Sequence, residues 1–159
     1  MITSLSAQEL LQLYSTDYFK NASTFGALSD DALLFLLDKS DILLAQTGDR
    51  IFSFGDPVDC FYVVLDGRVG FYKPCRGGRT HIRDYEFGME VGFMAMIGLH
   101  DRAGDGDAEE LTLLLRVSTA VFSEIQQKLP NDFGILLLNL AREMARRLRD
   151  ADNRLADVE

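Results

Sequence analysis

The sequence is poor in the residues that carry metal and redox chemistry. Two cysteines, Cys60 and Cys75, stand among 159 residues, too few for a disulfide framework and without CxxC spacing. Both read as ordinary reduced thiols. The two histidines, His81 and His100, have no Cys or His companion at ligand spacing, which argues against a zinc site. Basic residues are also scarce, 16 against 25 acids, for a net charge of −9. That balance argues against broad contact with nucleic acid or anionic lipid, both of which reward clustered Lys and Arg. No run approaches the roughly 18 apolar residues of a membrane span. The opening MITSLSAQELL lacks the basic head and apolar stretch of a secretory leader. A cytoplasmic chain with no nucleic-acid or membrane partner is expected.

What remains is the composition of a globular domain. An apolar content of 47% and a charged content of 26% allow one core of ordinary size, with no need of a disulfide or metal to hold it. The chain length fits a single domain with helical extensions.

Three blocks follow one another. Residues 1 to about 40 are helical in pattern. Ser6 and Glu9 fit a capping box ahead of Leu10, Leu11, Leu13 and Tyr14. Ser29, followed by Asp30 and Asp31, is a second helix start, before Leu33, Leu34, Leu36 and Leu37. From about 41 to 122 short apolar runs alternate with Gly48-Asp49, Gly55-Asp56, Asp66-Gly67 and Gly77-Gly78. That rhythm predicts an antiparallel barrel or jelly roll. Asp66-Gly67 and Arg76-Gly77-Gly78-Arg79 are expected to be hairpin turns. From about 123 the pattern is helical again. Leu137, Leu140, Ala141, Met144, Leu148, Ala151 and Leu155 form a stripe, either a homodimer seam of heptad type or one face packed on the chain's own barrel. Arg142, Arg146, Arg147 and Arg149 are expected on a solvated face, with intrahelical pairs such as Glu143–Arg147.

Three segments carry a family resemblance. Phe25-Gly26-Ala27-Leu28-Ser29-Asp30, the stretch Gly48 to Asp56 (GDRIFSFGD), and Phe61 to Val69 (FYVVLDGRV) resemble, in order and spacing, the entry, loop and strand motifs of cyclic-nucleotide-binding domains. The resemblance covers about residues 25–140. It implies an α+β, mainly β chain: a double-stranded β-helix or jelly roll of about eight strands, with N-terminal helices and a long C-terminal helix. The expected division is a helical extension at 1–24, the roll at 25–122, and C-terminal helices at 123–159 that include the dimerisation helix.

The resemblance also implies where a ligand would sit. In this family a Gly and a short helix's free amides hold the cyclic phosphate, an Arg pairs with it, and a Glu accepts from the ribose hydroxyl. The matching stretch here runs from Gly88 to Met96, which makes Gly92, Phe93, Met94, Ala95, Arg102 and Ala103 the candidate ligand-binding residues. Phe93 stands where the Glu belongs. A register slip of three residues would put Glu90 there, at the expense of Gly92. Between Gly98 and Leu111 five acids (Asp101, Asp105, Asp107, Glu109, Glu110) surround the single base Arg102. On this reading they oppose an anionic ligand, and Arg102 could equally be a surface arginine paired with Asp101 or Asp105. Met89, Met94 and Met96 with Phe87 and Phe93 fit core positions or an apolar pocket lining.

The expectation is therefore a non-enzymatic regulatory or sensory module with weak or lost cyclic AMP binding, a homodimer through its C-terminal helix that acts on a protein partner. No catalytic residue, metal or cofactor is expected, with a cyclic nucleotide the one candidate ligand. With the chain ending at Glu159, no DNA-reading helix-turn-helix is expected after the roll. Two alternatives stay open: a genuine cyclic AMP or cyclic GMP receptor, and a cupin-type metalloenzyme, which two histidines serve poorly.

Overall fold

Local signals account for the first forty residues of the computed structural model, which describes residues 1–158. Helix α1 (Ala7–Leu13) begins at Ser6, whose hydroxyl accepts from the Glu9 N–H while the Glu9 carboxylate accepts from the Ser6 N–H. Two of the helix's free donors are thereby satisfied. After α2 (Thr16–Lys20) and a 3-10 turn at Ser23–Phe25, helix α3 (Asp30–Lys39) starts at Ser29. Its Asp30 and Asp31 sit at the positive end of the helix dipole. Leu33, Leu36 and Leu37 are buried, whereas Leu34 points outward. One element departs from the helical pattern: Thr3–Leu5 form a strand, β1, paired antiparallel to residues 42–44.

Eight further strands follow: β2 (Asp41–Ala45), β3 (Arg50–Phe52), β4 (Cys60–Asp66), β5 (Val69–Cys75), β6 (Gly78–Tyr85), β7 (Glu90–Val91), β8 (Asp105–Ala108) and β9 (Thr112–Ser118). They make two antiparallel sheets, β1-β2-β9-β4-β7 and β3-β8-β5-β6, the two layers of a jelly roll. Strand β4 explains its own unbroken apolar run. Phe61, Val63 and Leu65 face a core shared with the helices, while Cys60, Tyr62 and Val64 face a second core between the sheets. A strand buried on both faces loses the usual alternation with polar residues.

The turns are partly as expected. Arg76-Gly77 closes the β5–β6 hairpin, with Cys75 opposite Gly78. Asp66-Gly67 does not make a hairpin, because β4 and β5 belong to different sheets and the turn carries the chain across the roll. Gly67 is required there twice over. Its φ is +86°, and a Cβ would collide with the backbone of Leu111 and Thr112.

Helix α5 (Thr119–Lys128) is capped by Ser118, and α6 (Pro130–Asp157) begins with proline in its first turn, where no N–H is missed. The buried face of α6 is not the apolar stripe alone. Leu136 and Leu140 share it with Asn139 and Glu143. Asn139 donates to the carbonyls of Thr24 (3.1 Å) and Gly26 (2.8 Å), tying α6 to the 3-10 turn. Of the Glu143–Arg147 pair expected on a solvated face, Glu143 is buried and Arg147 half-buried. Ala141, Leu148 and Leu155 of the stripe are exposed.

Candidate functional site

The chain turns from β7 into the short helix α4 (Phe93–Gly98) through Gly92, at φ +87°. Only a residue without a Cβ fits, because one would strike the Nη1 atom of Arg102. The Arg102 guanidinium lies flat against this corner. Its Nη2 donates to the Cys60 carbonyl (2.8 Å) and its Nη1 to the Gly92 carbonyl (3.2 Å). It also lies over the rings of Phe52 (4.8 Å) and Tyr62 (5.7 Å). Burial pushes the Tyr62 hydroxyl up to about 12, so it is neutral beside the cation. Arg102 is 4% exposed and has no carboxylate partner among the described residues.

The alternative reading of Arg102 as a paired surface arginine is therefore corrected. So is the opposing acid cluster. Asp105 and Asp107 are engaged by Arg50 and Arg79 on the four-stranded sheet, and Glu109 accepts from the Tyr72 hydroxyl. Neither Asp101 nor Asp105 pairs with Arg102.

Phe93 also departs from its expected place. Its ring is fully buried in the core shared with the helices, edge-on to both Phe61 (centroids 5.3 Å) and Phe122 (5.6 Å). It does not line the cavity. An apolar side chain gains roughly 1.5–3 kcal/mol by such burial, which accounts for the ring turning inward where a carboxylate would turn outward. Met96 joins that core, while Met94 is half exposed.

Glu90, one turn upstream, is fully buried. Its Oε2 accepts from the Phe93 N–H (3.0 Å), the first free amide of α4, and its Oε1 is paired with Arg147 Nη2. Around this ion pair α6, β7 and the 3-10 turn meet. Glu143 accepts from the Glu90 N–H (3.1 Å) and from the Ser23 and Thr24 hydroxyls. Arg147 reaches the Glu143 carbonyl (3.4 Å) and the Tyr85 hydroxyl (3.4 Å). Burial pushes the Glu143 carboxyl above its ordinary range, against the opposing pull of Ser23, and pushes the Arg147 guanidinium down. Sequence reasoning passed over this network. Its one sign was Glu143 and Arg147 following Leu136, Asn139 and Leu140 on the same helical face.

Two chambers lie between the roll and α6. The smaller, about 50 Å³, is lined by Gly92, Met94, Ala95, Arg102, Ala103 and Arg147, among others. Five of the six candidate residues thus come together, and Phe93 does not. The larger, about 280 Å³, is walled by Phe71, Ile82, Tyr85, Met144, Leu148 and Ala151, with Lys73 and Arg83 added to Arg147. The chambers share Phe71, Tyr85, Met94 and Arg147. Neither is lined by an Asp or Glu among the described residues. Among the described residues no cluster of three or more His, Cys, Asp or Glu side chains could hold a metal, and no helix is long and apolar enough to cross a membrane.

The fold is thus a two-sheet jelly roll with a glycine corner, a short helix beside a buried arginine and a long helix over a cavity. The chain belongs to the cyclic nucleotide-binding domain family, whose profile matches residues 43–128, more than half of its length. Among solved structures it is similar to a cyclic nucleotide-binding domain from Methylobacillus flagellatus. That likeness has a TM-score of 0.84 and 20% identity, over 99% of this chain and 89% of that one. It is also similar to the catabolite activator protein of Thermus thermophilus, with a TM-score of 0.73 and 27% identity over 86% of this chain and 62% of that one. Among curated proteins a lysophospholipase of Chaetomium globosum is 25% identical over 108 residues. The match spans 67% of this chain but 7% of that protein.

Proposed function

We propose that this chain is a non-enzymatic regulatory module whose cavity receives an effector other than a tightly held cyclic nucleotide, and that α6 transmits its occupancy. The observation that carries the reading is Glu90. The α4 amide and the α6 arginine, groups that would greet an incoming anion, are already engaged by the chain's own buried carboxylate. A cyclic phosphate placed on that amide and that arginine would meet Glu90 as a like charge. At about 4 Å and an effective dielectric of about 20 such a pair repels by roughly 4 kcal/mol. Among the described residues no carboxylate lines either chamber to accept from a ribose hydroxyl, and a hydroxyl left unpaired there costs about 1–3 kcal/mol.

Isothermal titration of the full chain with cyclic AMP and cyclic GMP tests the proposal. No binding tighter than about 10 μM, roughly 7 kcal/mol, is expected. One observation favours the second reading, a genuine cyclic nucleotide receptor: Arg102 and Gly92 line the small chamber together. A dissociation constant well below that limit for either nucleotide decides for it.

Cytoplasmic placement, action on a protein partner and homodimerisation through α6 belong to the same proposal. Support for the dimer comes from Ala141, Leu148 and Leu155, which recur every seven residues along α6 and are exposed. Sedimentation equilibrium is expected to give twice the monomer mass, and Leu148→Lys with Leu155→Lys to return it to one.

A further inference from the structure

We propose that the cavity under α6 is built for a carboxylate with an apolar body, the acid group held by Arg102 and the body lying along Phe71, Tyr85 and Met94. This rests on the reading of the cavity as an effector site and adds the effector's chemistry.

Charge is the first ground. The protein carries 25 acidic residues against 16 basic ones, yet among the described residues no acid lines either chamber, while Lys73, Arg83 and Arg102 do, beside the Arg147 that Glu90 pairs. The second ground is Arg102 itself. It is nine-tenths buried and held by neutral carbonyls, with no carboxylate partner and no acceptor for its Nε among the described residues. A cation taken out of water without a counter-charge is costly, and an anion in the adjoining chamber offsets that cost. The planar guanidinium fork of Arg102 matches the two oxygens of a carboxylate.

Size narrows the class. The small chamber holds about 50 Å³, and a water's share of liquid volume is about 30 Å³. There is room for an acid group of a few heavy atoms. The larger chamber, about 280 Å³ with aromatic, methionine and leucine walls, takes the apolar body. Together they stand at the small end of the roughly 300–1,000 Å³ of small-molecule sites.

Titration calorimetry on the full chain with octanoate, octanol, acetate and cyclic AMP tests this. Octanoate is expected to bind at least about tenfold more tightly than octanol, a step of about 1.4 kcal/mol, and acetate not measurably. Arg102→Gln orphans no paired charge and is expected to weaken octanoate about tenfold or more. Lys73→Glu, at an exposed position that lines the larger chamber, is expected to weaken it with an unchanged circular dichroism spectrum. Octanol equal to octanoate, no octanoate binding, or unaltered affinity in both variants overturns the inference. Of these, the absence of octanoate binding with cyclic AMP also silent leaves the broader effector-module reading standing. Cyclic AMP binding below about 10 μM removes that reading as well.

Discussion

Removing the Arg147 side chain is the sharpest test of how α6 is held. In Arg147→Met the Glu90 carboxylate stays at zero exposure with the Phe93 N–H as its remaining donor. Breaking a buried pair by deleting one partner costs about 3–5 kcal/mol, because the surviving charge is left in a medium that does not solvate it. Against a total stability of about 5–15 kcal/mol, that is a large fraction. For a chain of this length it corresponds to a fall in Tm of roughly 6–20 °C. Urea denaturation followed by circular dichroism is the assay. With m near 2 kcal/mol/M the midpoint drops by roughly 2 M. The double variant Glu90→Gln with Arg147→Met keeps an acceptor for the Phe93 amide and removes the stranded charge, so it is expected to regain about 2 kcal/mol or more of the loss. A single variant within about 1 kcal/mol of the wild type, or a double variant no more stable than the single, would refute the reasoning.

Other outcomes follow from the same geometry. Gly92→Ala places a side chain at φ +87° and against Arg102, so a loss of at least about 1–2 kcal/mol in urea is expected; a neutral change contradicts the corner as described. Phe93→Glu puts a charge into the helical core, and a loss above about 5 kcal/mol is expected from the lost ring and the buried carboxylate together. A folded variant with new affinity for cyclic AMP would place position 93 in the cavity instead. Glu143 has a folded pKa above its ordinary 4.5, so the native state binds the proton more tightly than the unfolded chain. Its contribution is full below pH 4.5 and is lost as pH rises through the raised value. Glu143→Gln is expected to flatten that decline in a stability–pH profile, and an unaltered slope contradicts it.

Much of the architecture was legible because it is specified locally. The Ser6–Glu9 box and the Ser29 cap act within one turn of helix, and Gly48, Gly55 and Gly77 adopt the positive φ that their corners require. What local pattern did not carry was long-range. Asp66-Gly67 looks the same whether it joins paired neighbours or crosses between sheets, because that choice depends on which strands accept β4 as a partner. A Glu and an Arg four residues apart suit a solvated face equally well. Only Glu90, more than fifty positions away, and the carbonyls accepting from Asn139 make that face of α6 a buried one. At Phe93 the alignment position was readable but the direction of the ring was not, since the Phe61 and Phe122 rings that receive it come from β4 and α5.

Hydrogen exchange across Asn139–Leu148, in nucleotide-free protein and again with millimolar cyclic AMP, goes to the heart of the matter. If the chain's own carboxylate holds α6 against the roll, those amides are already slow to exchange in the free protein and do not change on adding the nucleotide. Fast exchange in the free protein, slowed markedly by cyclic AMP, would mean that the nucleotide rather than Glu90 docks the helix.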